Sequence, residues 1–131
     1  MPLDEAVLRA LQHVEEDSTL ALVLPVVLAK NAERVSFAEL EAKARARHLE
    51  ARLGMLLDVT AEVTPLHSAR SAAANLYEFR NTTPVFLPPP KTRLDEQLAR
   101  QRTPEIMRRW GFLMNVREDS LREFARKHLG A

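Results

Sequence analysis

The stretch VSFAELEAKARARHLEARLGMLLDVTAEV, residues 35–63, carries the strongest structural signal in this chain. Ser36 and Glu39 have the spacing of a capping box, in which two side chains each satisfy a free backbone donor at the start of a helix. This pattern predicts a helix that begins at Ser36. Beyond a short break near His48, apolar residues recur at helical spacing, which predicts a second helix. These residues are Leu53, Leu56, Leu57 and Val63.

Two apolar segments precede this stretch. An amphipathic pattern over residues 3–16 predicts a first helix, and the EEDST sequence that ends it predicts a new N-cap at Asp17 or Ser18. The run 20–31 is apolar on all sides, which favours a buried helix. Pro25 must then either begin this helix or kink it, because proline removes one backbone hydrogen bond. The valines of the run leave a buried strand open as an alternative.

A helix and a proline-rich segment follow. Thr64 and Pro65 resemble an N-cap and a first-turn proline, and they predict a helix over residues 66–80. The small side chains of its alanine-rich part, residues 69–74, allow close helix packing. The sequence NTTPVFLPPPKTR (81–93) contains four prolines and predicts an extended crossing segment. Its apolar residues are expected to dock on the helices, and they are Val85, Phe86 and Leu87.

Four shorter elements complete the C-terminal part. Residues 93–101 predict a short helix, and TPEIMRRW (103–110) predicts another that ends at Gly111. Residues 112–116 are expected to be extended. The capping-box spacing at Ser120 predicts the start of a final amphipathic helix.

Together these patterns predict one mainly α domain over residues 1–131, a bundle of about six to eight helices with a short extended segment near residues 110–116. Residues 1–80 form the predicted helical core, 81–93 the proline-rich crossing segment, and 94–131 a basic C-terminal portion packed on that core. The 46% hydrophobic and 28% charged residues are ordinary for a globular protein.

Nothing in the sequence indicates a secreted or membrane protein. The N-terminal MPLDEAVLRA is acidic and lacks the apolar segment of a signal peptide. The longest apolar run, LALVLPVVLA, contains a proline and is far shorter than the roughly 20 residues that a membrane span needs. The absence of cysteine excludes disulfides and thiolate metal sites. We therefore expect a cytoplasmic protein with no membrane contact.

The residue types that catalysis needs do not come together in the sequence. The three glycines form neither a phosphate-binding loop nor a dinucleotide-binding fingerprint, and there is no GxSxG nucleophile motif. The histidines lack zinc-ligand spacing, because they are isolated at positions 13, 48, 67 and 128. We expect no catalytic residue, no metal and no cofactor, and therefore a protein that is not an enzyme.

Charge is unevenly distributed along the chain. Residues 1–65 contain seven Lys or Arg and eleven Asp or Glu, a net charge of −4. Residues 66–131 contain twelve and seven, a net charge of +5. Such asymmetry indicates either that the two halves attract each other or that the C-terminal half meets an acidic partner.

We expect a subset of the C-terminal residues to bind a partner, because arginine and tryptophan are enriched at protein-binding hot spots. These residues are Arg93, Arg100, Arg102, Arg108, Arg109 and Trp110. Nucleic-acid contact is an alternative, since Tyr77, Phe86 and Trp110 offer rings on which bases stack. A solvated structural face is a third, since Asp95 and Glu105 interrupt the basic set.

The apolar residues after this basic set also allow two interpretations. Trp110, Phe112, Met114 and Val116 share one side of an extended segment, with Leu113 on the other. They form either part of the core or an exposed patch for a partner.

Two segments resemble AbiEi-type antitoxins of bacterial type IV toxin–antitoxin modules. VSFAELEAKARARHLEARLGMLLDV is similar to a helical segment in the C-terminal half of these proteins, and RRWGFLMNVREDSL is similar to their terminal strand. The first pattern is carried by Leu40, Ala44, Arg52, Leu53, Gly54, Leu56 and Leu57. The second is carried by Arg109, Trp110, Leu113, Asn115 and Val116.

The resemblance implies a non-enzymatic regulatory protein that binds a partner protein through its basic C-terminal face. The cognate toxin in this family is a nucleotidyltransferase, which is the implied partner. Family members usually carry an N-terminal winged helix as well, and residues 1–34 are too short and too apolar to form one. The resemblance therefore covers only the toxin-antagonising half. Two alternatives are a small nucleic-acid-binding module and a structural homo-oligomer that associates through the alanine-rich 69–74 face.

Overall fold

The computed structural model describes residues 2–14 and 19–129. Within these ranges the chain forms eight α-helices and one two-stranded sheet, so the predicted mainly α fold with a short extended segment is confirmed. The helices are α1 (Leu3–His13), α2 (Leu20–Lys30), α3 (Phe37–Ala46), α4 (Glu50–Val63), α5 (His67–Leu76), α6 (Arg93–Arg102), α7 (Glu105–Arg108) and α8 (Glu118–Leu129). The strands are β1 (Val85–Phe86) and β2 (Phe112–Leu113), and short 3-10 helices span Ala32–Arg34 and Tyr77–Phe79.

The predicted helix start at Ser36 and the break near His48 are both confirmed. The Ser36 hydroxyl accepts a hydrogen bond from the Glu39 backbone N–H at 3.3 Å. His48 has a φ of +58°, and the next amide, that of Leu49, donates to the Ala44 carbonyl at 2.9 Å. This is the bond pattern that closes a helix around a left-handed residue, a position that usually holds glycine. The chain can therefore turn directly from α3 into α4.

Helix α4 is the centre of the fold. Every residue from Leu53 to Ala61 is buried, and α4 contacts α1, α2, α3, α5, α7 and α8. Helix α5 lies against it through buried alanines at 69, 72 and 73, as their small size predicts. These alanines are therefore covered by the chain itself, which corrects the alternative that the 69–74 face joins two copies.

Helix α2 begins at Leu20 and contains Pro25 in its interior. The alternatives of a strand and of a helix that begins at Pro25 are therefore wrong. Pro25 has no amide hydrogen to offer the carbonyl of Ala21, and the helix keeps this residue buried against the core. The predicted N-cap at Asp17 or Ser18 lies outside the described residues.

Two predicted helix boundaries need correction. Thr64 ends α4, with its N–H donating to the Thr60 carbonyl at 3.1 Å, and α5 begins only at His67. Helix α8 begins at Glu118 rather than at Ser120. Its acidic first turn suits the positive end of the helix dipole, so the helix extends further than the capping pattern indicated.

The proline-rich segment crosses to the C-terminal part and pairs with it in parallel. Val85 N–H donates to the Gly111 carbonyl at 2.9 Å, and Leu87 N–H donates to that of Leu113 at 3.0 Å. Leu87, which precedes a cis-proline, is buried as expected, whereas Val85 remains exposed. Gly111 has a φ of +77° in the turn that follows α7, which ends at Arg108 and is therefore shorter than the predicted helix over residues 103–110.

Acidic residues of α1 are clamped to basic residues of α3. Asp4 lies 2.5 Å from the Lys43 ammonium, and Glu5 accepts two hydrogen bonds from Arg47 at 2.7 and 2.8 Å. The bond from Lys43 lowers the pKa of Asp4 below its ordinary 3.8, and the bond from Arg47 lowers the pKa of Glu5 below 4.5. The bond to Asp4 raises the pKa of Lys43 above 10.5.

This clamp predicts how stability depends on pH. The folded-state pKa values of Asp4 and Glu5 are depressed. Their contribution to the stability of the folded state is therefore present above about pH 4.5 and is lost as the pH falls through these depressed pKa values. The contribution of Lys43 is present below pH 10.5 and is lost as the pH rises through its raised pKa. We expect Asp4→Asn/Glu5→Gln to show a smaller fall in Tm than the wild type between about pH 5 and about pH 2.

The measurement is thermal unfolding followed by circular dichroism at each pH. Glu33→Gln/Glu78→Gln is the matched control, since both carboxylates are exposed and neither forms an ion pair with a described residue. This control should lose Tm in acid as the wild type does. An equal acid-induced fall in the Asp4/Glu5 variant would show that the clamp contributes nothing.

Candidate partner-binding surface

The predicted partner-binding residues lie in three different environments. Arg93 and Arg102 occupy the first and last positions of α6, both exposed, and neither forms an ion pair with any residue that the structure describes. Their charges are therefore directed to solvent and are available to a ligand.

Arg100 and Arg108 are brought together at the end of α6. The Arg108 guanidinium donates to the carbonyls of Arg100 and Thr103, the latter at 3.2 Å, and so caps the negative end of this helix. Arg100 pairs with Glu96 at 3.1 Å and lies over the Phe86 ring, 5.1 Å from its centroid. This cation–ring contact joins α6 to β1.

Trp110 is not part of any surface, which corrects the prediction that it binds a partner. Its side chain is only 1% exposed, and its indole N–H donates to the Asp58 carboxylate at 3.0 Å. A tryptophan with a polar partner for its N–H is well suited to a core, because ring burial and hydrogen bonding are satisfied together. The core interpretation is also the correct one for Phe112, Met114 and Val116.

Arg109 takes part in a network around acidic residues of α4. Its guanidinium lies 4.0 Å from Asp58, and Arg70 reaches both Asp58 at 3.5 Å and Glu62 at 3.6 Å. Arg122 bonds Glu62 at 3.1 Å, and this bond is the main cause of its raised pKa. These arginines pair with carboxylates of the chain itself, whereas Arg93 and Arg102 form no ion pair with a described residue.

A cleft of about 150 Å³ opens beside this network, between α4, α7 and α8. Its floor is apolar, formed by Val63, Ile106 and Leu121. Its rim carries both signs of charge, with Glu62 and Glu118 bonded to Arg122. The cleft is lined by three carboxylates and two guanidiniums, and Arg122 already pairs with two of these carboxylates, so no cation there is directed to an anionic ligand alone.

Three exposed or half-buried aromatic rings each have a guanidinium above them. Arg45 lies 4.8 Å from the centroid of Phe79, Arg80 lies 4.4 Å from that of Tyr77, and Arg100 lies 5.1 Å from that of Phe86. We call these residues the arginine–aromatic row: Arg45, Tyr77, Phe79, Arg80, Phe86 and Arg100.

The members of the row are linked by direct contacts with the segment around Gly111. Tyr77 packs edge-on against Trp110 with centroids 5.1 Å apart, and Asn81 N–H donates to the Trp110 carbonyl at 3.1 Å. Val85 continues the connection through its bond to Gly111. These contacts hold residues 77–85 against the segment around Gly111, while α3 and α6 each supply one of the guanidiniums that lie over rings of residues 77–86.

Exposure of large apolar side chains is concentrated in the same part of the chain. Among the described residues, the exposed large apolar side chains are Val23, Tyr77, Phe79, Val85 and Leu94. Four of these five belong to residues 77–94. Apolar exposure that is concentrated and interleaved with arginine is typical of a binding surface rather than of a solvated face.

The sequence identified part of this surface and missed the rest. Arg100, Tyr77 and Phe86 were singled out, whereas Arg45, Phe79 and Arg80 were not. The adjacent Phe79 and Arg80, which follow the alanine-rich helix, could have indicated an arginine beside an aromatic ring. No local signal links Arg45 to Phe79, because 34 positions separate them and only the packing of α3 on α5 brings them together.

The described residues offer neither a metal-binding cluster nor a membrane-spanning helix. In the described ranges no three His, Cys, Asp or Glu side chains are grouped so that they would hold a metal ion. No helix there is long and apolar enough to cross a membrane. No protein-family model, curated protein or solved structure matches this chain.

Proposed function

We propose that this chain is a non-enzymatic interaction protein that binds a partner protein through the arginine–aromatic row and the exposed arginines of α6. The supporting observation is the concentration of exposed apolar side chains within residues 77–94, interleaved with cations. Arginine and aromatic side chains supply most of the energy at protein–protein hot spots, because they combine apolar contact area with directed hydrogen bonds.

A protein is favoured over a nucleic acid as the partner by the composition around the row. Acidic residues interrupt the cations, at Glu78, Asp95 and Glu96, so the row lacks the continuous positive charge that suits a phosphate backbone. The apolar Val85 and Leu94 suit a protein surface instead. A sequence pI of about 8.2 is also low for a stand-alone nucleic-acid binder.

The resemblance to AbiEi-type antitoxins supports a regulatory role, with a nucleotidyltransferase toxin as the proposed partner in the cytoplasm. The two stretches that carry the resemblance lie against each other, since Trp110 covers Gly54. The regulatory assignment predicts a nucleotidyltransferase gene beside the gene for this chain, which inspection of the genome checks directly.

Arg80→Ala/Arg100→Ala is expected to weaken partner binding by about tenfold or more, since truncating a hot-spot arginine costs roughly 1 kcal/mol or more. The partner is first recovered from the source cells with the tagged wild-type chain, identified by mass spectrometry and purified. Isothermal titration then compares the wild type with the variant.

Arg126→Ala/Lys127→Ala is the matched control, because it also removes two exposed cations but from α8, outside the row. It should leave the affinity within about twofold of the wild type. Thermal unfolding of both variants checks that the fold is retained. Wild-type affinity in the Arg80/Arg100 variant would exclude the row as the binding surface.

A further inference from the structure

We infer that the arginine–aromatic row binds an acidic segment of the partner protein, whose carboxylates are gripped by the three ring-stacked guanidiniums. This inference rests on the proposed function and adds the chemistry of the segment that is recognised. It predicts that Asp and Glu side chains of the partner, separated by apolar residues, form the complementary surface.

The stacked geometry prepares each guanidinium for a carboxylate. A guanidinium has five N–H donors in one plane, arranged to match the two oxygens of a carboxylate. When it lies over a ring, the ring restricts its motion and leaves the edge of the plane open. Arginine held in this way loses less side-chain entropy on binding than a free lysine or arginine does.

The donors of the stacked arginines are mostly unused within the described part of the chain. Arg80 donates to the Tyr77 carbonyl at 3.1 Å, and Arg100 donates to Glu96 at 3.1 Å. Arg45 makes only a long contact with the Asn75 carbonyl, at 3.5 Å. Each guanidinium therefore keeps several N–H groups for an external acceptor.

Carboxylates are favoured over the phosphates of a nucleic acid by the same contacts. A base could stack only on the ring faces of Tyr77, Phe79 and Phe86 that the guanidiniums leave uncovered, which reduces the area open to it. The exposed Val85 lies between the Tyr77 and Phe86 stacks along the chain, where an apolar side chain of a peptide would make contact. Separate carboxylates with apolar residues between them fit this pattern.

The test is selection from a random 12-residue peptide library displayed on phage, with the full chain as bait. We expect the selected peptides to be enriched in Asp and Glu next to apolar residues. One selected peptide is then synthesised, and its affinity for the wild type is compared by fluorescence anisotropy with that for Arg80→Lys/Arg100→Lys. The lysine variant keeps both charges but loses the planar donors, so its affinity should fall by about tenfold.

A single-stranded dT oligonucleotide serves as the competing probe. Selected peptides without acidic enrichment, or tighter binding of the oligonucleotide than of the peptide, would overturn the inference. Wild-type affinity in the lysine variant would also overturn it, since charge alone would then suffice. In that last case the proposed function would stand if Arg80→Ala/Arg100→Ala still weakened partner binding, so the two failures are distinguishable.

Discussion

Trp110→Ala is expected to lower the free energy of unfolding by about 3–5 kcal/mol. The Trp110 side chain is 1% exposed and lies between α4 and the 3-10 helix that contains Tyr77, so its removal leaves a large cavity. It also removes the donor that bonds Asp58, a carboxylate with little exposure to water. A loss of this size removes a large share of the stability of a small domain.

Urea denaturation followed by circular dichroism is the appropriate measurement, because Trp110 is the only tryptophan and fluorescence is lost with it. Trp110→Phe keeps one aromatic ring but removes the N–H donor together with part of the indole. It should cost less than Trp110→Ala but at least about 1 kcal/mol, because Asp58 loses a hydrogen bond and a smaller cavity remains. A loss under about 1 kcal/mol for Trp110→Ala would contradict the packing described above.

Gly54→Ala is expected to destabilise the protein by about 1–3 kcal/mol, the usual cost of overpacking a core. In an ordinary helix interior this change stabilises by about 1 kcal/mol, since alanine has the higher helix propensity. Here a Cβ at Gly54 would lie 2.2 Å from Cζ3 of the Trp110 ring. The ring is held by its bond to Asp58 and by contact with Tyr77, so it has little freedom to move aside.

A double-mutant cycle tests this explanation directly. In the Trp110→Ala background the obstructing ring is absent, and Gly54→Ala should then stabilise by up to about 1 kcal/mol through helix propensity. The change of sign between the two backgrounds is the signature of direct contact. If Gly54→Ala destabilises equally in both, the cause lies in the backbone of α4 rather than in Trp110.

Local patterns were sufficient for most helices of this protein. The Ser36 cap and the break at His48 depend on neighbouring residues, and the structure agrees with both predictions. Some predicted helix boundaries were wrong, because more than one nearby residue could begin or end the helix. Thr64 had the properties of an N-cap, but it ends α4 instead, and Leu66 is the residue that precedes α5.

The candidate site was less predictable than the fold. Sequence spacing placed Trp110 with its neighbouring arginines, whereas the structure buries it against Asp58, 52 positions earlier in the chain. The Arg109 guanidinium also lies beside Asp58, while Arg93 and Arg102 form no ion pair with a described residue. Adjacency along the chain therefore did not decide which of these side chains form a surface.

The sequence by itself determined that this protein is mainly helical, because caps, left-handed residues and apolar periodicity act over a few positions and need no distant partner. Only the tertiary structure decided that Gly54 receives the Trp110 ring and that Arg45, Arg80 and Arg100 each cover an aromatic ring. Two of these ring contacts, like that of Gly54 with Trp110, join residues far apart in the chain. They form only when distant parts of the chain pack together, so no local pattern records them.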